Sequence, residues 1–188
     1  MVRCLTAQLC YATETLLPVT IPELGPLHPD SDIPEWLVSA PVSVPYFDGR
    51  PLTFTLDGLT QADTEDVQNA IRAFLALGSD MRLAASPYVF QNYRRMVDAV
   101  GEGEVECQVA TPEAAWAHVH PSGIYVSRRD RRDKLIYIQI SAECDWEREH
   151  GLQLVYRQGN VLSRVSDQDG HLTHTDAYDV PEDQDRIV

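Results

Sequence analysis

The chain predicts an α+β fold: a mostly antiparallel sheet with two amphipathic helices packed on one face. Three observations carry this. Apolar residues recur at helical spacing between residues 60 and 101, polar and apolar residues alternate at a period of two in the segments before and after, and no internal repeat divides the pattern. At 188 residues one domain buries roughly 70% of the surface its unfolded chain exposes. We therefore read a single domain, with a Pro-rich extended part over 1–58, a helical pair over 60–101, an antiparallel β-rich part over 104–176 and an acidic tail over 177–188.

Eight of the twelve prolines fall between Pro18 and Pro51, which forbids long helix there and confines strands to short pieces at a sheet edge. Residues 16–21 and 52–56 are the strands expected, the second alternating Leu52, Phe54 and Leu56 with Thr53 and Thr55. Over 64–77, Val67, Ala70, Ile71, Phe74 and Leu77 form one helical stripe, with Asp63, Glu65 and Asp66 at the positive end and Gly78 after the last turn. A second helix is expected to start at Ser86 as N-cap with Pro87 in the first helical position, to bury Val89, Tyr93, Met96, Val97 and Val100, and to stop at Gly101.

Beyond Gly103 the period becomes two, predicting strands over 116–119, 124–127, 135–142, 152–157 and 161–165. Gln158, Gly159 and Asn160 make the turn of a closing hairpin. In the third of these strands Ile136, Ile138, Ile140 and Ala142 share the side expected to meet the helices, while Tyr137, Gln139, Ser141 and Glu143 share the other. After Asp176 the composition predicts a frayed acidic tail.

Lys and Arg number 15 against 29 Asp and Glu, a net charge of −14. Such a surface repels phosphate backbones and anionic membranes and attracts basic proteins. Neither nucleic acid nor a membrane is expected as partner; a basic protein is. Lys134 is the only lysine, leaving amine catalysis one candidate in a charged turn. Cys4, Cys10, Cys107 and Cys144 are widely spaced, without a zinc-type pair, and read as reduced thiols in a cytosol. The first twelve residues lack the continuous apolar run of a signal peptide, and no stretch approaches a membrane span.

Two charged turns flank residues 135–142. Arg128, Arg129, Arg131, Arg132 and Lys134 make the basic one, expected to be a solvated hairpin loop, at roughly 25 Å from the acidic one at about 3.4 Å per residue. The acidic turn carries Glu143, Asp145, Glu147 and Glu149, with Trp146 and His150 among them. An extended backbone would let the carboxylates converge on a divalent cation or supply a general base, with His150 as nitrogen ligand. Alternatively Trp146 plugs the sheet end, the carboxylates face water and Gly151 permits the turn. Residues 167–176 have acids and a glycine at some offsets of a calcium loop, but Val165 takes the place of the first acid. His171 with His174, and His118 with His120 on a strand ended by Pro121, have ligand-compatible spacing yet read as surface histidines. Cys144 with His150 is the nearest nucleophile and base pairing, and Cys144 reads as a core residue. There is no phosphate-binding glycine loop or dinucleotide fingerprint.

The run Cys144-Asp145-Trp146-Glu147-Arg148-Glu149-His150-Gly151-Leu152, with Arg157-Gln158-Gly159-Asn160 and Asp169-Gly170 after it, resembles an uncharacterised bacterial domain family marked by Cys-x-Trp-(Asp/Glu)-x-Glu-His-Gly-Leu. The resemblance covers residues 116–178. It implies fold kinship, some members being immunity-like partners of toxins, and brings no catalytic residue with it. The function expected is a non-enzymatic, cytoplasmic protein-binding module of the immunity-like kind, neutralising a basic partner through Asp145, Trp146, Glu147, Glu149 and His150. The alternative is a metal-dependent hydrolase using the acidic turn. No cofactor is expected, and no residue is assigned as catalytic or as a metal ligand.

Overall fold

The computed structural model describes residues 20–60, 63–101 and 103–188; residues 16–19 of the first expected strand lie outside them. Six short strands come first: β1 (Thr20–Ile21), β2 (Gly25–Pro29), β3 (Leu37–Ser39), β4 (Val42–Val44), β5 (Arg50–Leu52) and β6 (Phe54–Asp57). Helices α1 (Thr64–Leu75) and α2 (Ser79–Val100) follow. Then come β7 (Val119–Arg128), β8 (Ile136–Cys144), β9 (Glu147–Arg157), β10 (Val161–Ser166) and the short α3 (His174–Tyr178). Eight strands form one sheet in the order β1-β2-β3-β6-β7-β8-β9-β10, and β4 pairs with β5 as a separate ribbon. Among the described residues only β6 and β7 pair in parallel. A parallel neighbour requires a crossover connection, and α1 and α2 are that connection, so the sheet is α+β and mostly antiparallel. The Pro-rich part joins its edge.

The expected strand over 52–56 is divided at Thr53. Leu52 pairs with Val42 in the ribbon and Phe54 with Ile124 in the main sheet, yet Leu52, Phe54 and Leu56 are all buried. Alternation fixed which side chains go inside; the change of partner strand lay beyond it.

Helix α1 buries Val67, Ala70, Ile71 and Phe74 as its stripe predicts. Helix α2 differs: it begins at Ser79, with Pro87 in its interior rather than at its start. An interior proline removes a backbone bond and costs about 3 kcal/mol. Tertiary contacts offset this. Ala85 and Ser86 are buried, the Ser86 hydroxyl accepts the Trp116 indole N–H at 2.8 Å instead of capping a helix, and Arg82 pairs with Asp48 at 2.8 Å.

Two further expectations are corrected around β7. Residues Glu113–His118 form a 3-10 helix, and the strand starts only at Val119. Pro121 does not end it: the strand runs on to Arg128, with the register shifting between Pro121 and Gly123. A bulge accommodates a residue that has no N–H to give the ladder.

Strand β8 divides its side chains as expected. Ile136, Ile138, Ile140 and Ala142 enter one core with Ile71, Phe74 and Val89. The other face is polar, and the chain after β10 folds back over part of it. The expected fraying past Asp176 is therefore overturned: α3 forms, and the Ile187 carbonyl accepts from the Val165 N–H at 2.7 Å along the free edge of β10, covering an edge that would otherwise stay open. The β9–β10 turn places Gly159 at φ +81°, and a Cβ there would lie 2.0 Å from the Ala70 carbonyl oxygen. Only glycine lets this turn lie against α1. No helix of the described residues is long and apolar enough to cross a membrane.

Candidate functional site

The acidic end of the sheet is built by the β8–β9 reversal. Cys144 faces Glu147 across it, so Asp145 and Trp146 alone make the turn. The next registered pair is Ala142 with Leu152: five residue steps on β9, from 147 to 152, face two on β8. The surplus pushes Arg148, Glu149 and His150 out of the ladder, and all three are exposed. Gly151 closes this bulge rather than the turn, at φ +64°; a Cβ there would lie 2.6 Å from both the Ala142 carbonyl oxygen and the Gln168 amide nitrogen.

Each residue of the expected site has a distinct place. Trp146 is 4% exposed, donates its indole N–H to the Asn92 side-chain oxygen at 2.9 Å and meets the Tyr93 ring edge-on at 5.9 Å. It belongs to the core and presents no surface to a partner. Glu147 is mostly buried, and its Oε1 accepts from the backbone N–H groups of Glu149 at 2.8 Å and His150 at 3.2 Å. Glu149 and His150 face water with Glu143. Arg148 pairs with Glu106.

Asp145 is held by two residues the sequence reading left as surface histidines. Its Oδ2 lies 2.8 Å from His118 Nδ1 and its Oδ1 2.9 Å from His120 Nε2. A carboxylate only accepts, so each ring carries its proton on the nitrogen facing Asp145. These bonds, first from His118 and then from His120, hold the Asp145 carboxyl below the usual carboxylate range. The signal available was the His-x-His spacing; the partner came from 25 residues away. Among the described residues no three His, Cys, Asp or Glu side chains converge in a way that could hold a metal ion.

Cys144 is 2% exposed, and burial pushes its thiol up to about 12, so it is a neutral core side chain at pH 7.

At the other end of β8 the basic turn is exposed from Asp130 to Lys134, as a solvated loop would be, but Arg129 is drawn inside. Arg129 is 4% exposed and reaches Asp176 at 2.7 and 2.8 Å, Thr173 at 3.1 Å, Glu182 at 3.1 Å and Asp133 at 3.3 Å. Arg128 is taken by Asp63 and Asp66. His174, expected to share a face with His171, is 9% exposed and accepts from Arg186 Nε at 3.1 Å; burial, then Arg186 and Arg164, lower its pKa. His171 is exposed. The calcium-loop carboxylates are engaged too: Asp167 by Asn92 at 3.1 Å and Asp169 by Arg164 at 2.7 and 2.5 Å.

Fold and surface together define an α+β protein, built on one eight-stranded sheet, with an acidic rim at one end of its long hairpins and an arginine-centred ion network at the other. The chain belongs to a family described as a domain of unknown function (DUF6985), whose model matches residues 23–172, well beyond the segment 116–178 that carries the motif. No curated protein and no solved structure matches it.

Proposed function

We propose that the protein is a non-enzymatic, cytoplasmic binding module that takes a basic protein partner at the acidic end of its sheet, an immunity-like protein with bacterial kin that carry the Cys-x-Trp motif. One observation supports this above the others: on a chain of net charge −14, the β9 bulge and the end of β8 hold Glu143 and Glu149 exposed at one end of the sheet. Carboxylates fixed in this way speed the encounter with a cationic surface and set its register. Trp146 and Asp145 serve the rim from within, the first by anchoring the turn in the core and the second by fastening it to His118 and His120.

The test is purification from the native host at low and high salt, with the wild type and a Glu143→Lys, Glu149→Lys double variant. A stoichiometric basic protein is expected at low salt, weakened by salt, and associating at least about tenfold more slowly with the double variant. No stoichiometric partner under either condition, or one that ignores both substitutions, overturns the reading.

A further inference from the structure

Among the described residues, the second face of the sheet is covered over β9 and β10 by residues 167–173 and open over β3, β6 and β7. The step between the two parts is a groove of about 690 Å³, within the range of small-molecule sites. Its floor holds Tyr125 and Gln139, registered opposite one another on β7 and β8, with Ser127 beside them. Trp36 stands edge-on to Tyr125 at 6.0 Å, and Asp57 and Arg131 lie on the rim.

The floor is preorganised from below. Gln153, 0% exposed, accepts from the Gln139 amide N–H at 2.8 Å and donates to Ser166 at 2.9 Å, Asp169 at 3.0 Å and the His171 carbonyl at 3.1 Å. This leaves the Gln139 carbonyl oxygen and its second N–H for the groove. The Tyr125 hydroxyl, the Ser127 hydroxyl, the Asp57 carboxylate and the Arg131 guanidinium have no hydrogen-bond or ion partner among the described residues. The other arginines at the groove are neutralised, Arg128 by Asp63 and Asp66, Arg129 by Asp176, and Arg132 by Glu182.

One open cation, Arg131, stands against two open anions, Asp57 and Asp130, which gives an anionic ligand no net attraction. Open donors and open acceptors beside two aromatic rings fit a molecule whose polar groups both donate and accept and whose ring has an apolar face. Hydroxyls on a saturated ring have that chemistry. We propose that the groove binds a neutral saccharide of one or two rings, its C–H face against Trp36 and Tyr125 and its hydroxyls on Gln139, Ser127, Asp57 and Arg131. The site is independent of the acidic rim.

The full chain is titrated by calorimetry and saturation-transfer NMR with maltose, lactose, N,N′-diacetylchitobiose and inorganic phosphate, each up to about 10 mM. At least one sugar is expected to bind, with a loss of about tenfold in the Tyr125→Ala variant and a smaller loss in Arg131→Ala. Arg131 is exposed and makes no contact that folding needs, so the second variant reports even if the first does not fold. Binding of none of the three sugars, binding unchanged in the folded variants, or tighter binding of phosphate than of any sugar overturns the proposal.

Discussion

The two faces of the sheet are made by the same strands and held by different physics. On the helix side, Ile138, Ile140, Leu152 and Leu154 are each 0% exposed in a core made mostly of hydrocarbon. On the other side, Ser141, Gln153 and Arg164 are joined to residues 167–173 by directional bonds, and Gln139 is joined to Gln153. The apolar face is stable because area is removed from water, and it tolerates exchange of one hydrocarbon shape for a similar one. The polar face is stable only while every buried group keeps its partner. Adjacent residues can thus differ by kind rather than degree in what they contribute.

Ile138→Ala should break the apolar side most severely, costing about 4 kcal/mol through lost transfer energy and an unfilled cavity, read from the urea midpoint; a loss below that of an exposed site would mean the core repacks. Arg129→Met attacks the polar side where it is most concentrated and should cost about 3 kcal/mol by removing the buried cation that Asp176 meets at 2.7 Å, Arg132 standing 3.7 Å away. Its distinguishing readout is hydrogen exchange: α3 and the residues after it should lose protection while β8 keeps it, and uniform loss would show that the two faces do not separate. Gln153→Ala should cost about 2 kcal/mol, since Gln139 and Ser166 lose a buried partner; a neutral result would mean water replaces the amide.

Acid should act on the polar face more than on the apolar one. Burial pushes the Asp169 and Asp176 carboxyls up, but Arg164 with the His171 N–H, and Arg129 with the Thr173 hydroxyl, hold both below their ordinary value of 3.8. Because the folded pKa lies below the unfolded one, the stability these groups contribute is complete above about pH 5 and is lost as the pH falls through 3.8 and below. The urea midpoint should therefore fall in that window, and less steeply for Asp169→Asn. An unchanged slope would place the acid sensitivity elsewhere.

Local pattern made much of the fold legible. The 3.6 spacing of Val67, Ile71 and Phe74 and the alternation of Ile136, Ile138 and Ile140 each place a side chain by the geometry of its own element, which neighbouring residues determine. Reading failed where distant groups compete. Pro87 stood as a helix start on local rules, yet contacts with Asp48 and Trp116 extend α2 past it. Residues 177–188 had the composition of a frayed tail, and Arg129 and Arg132 tie them down by pairing with Glu182. Trp146 was offered as an anchor for a partner, and Asn92 and Tyr93 claim it for the core.

The sequence by itself determined the α+β class, the helix-facing side of β8 and the negative balance of the surface, because propensity, periodicity and charge are properties of single residues and near neighbours. Only the tertiary structure decided that Asp145 meets His118 and His120, that Gln153 braces Gln139, and that the chain end closes over half of a polar sheet face. Hydrogen bonds and ion pairs have short reach and strict direction, so which groups satisfy one another depends on strand order and register, which long-range packing sets.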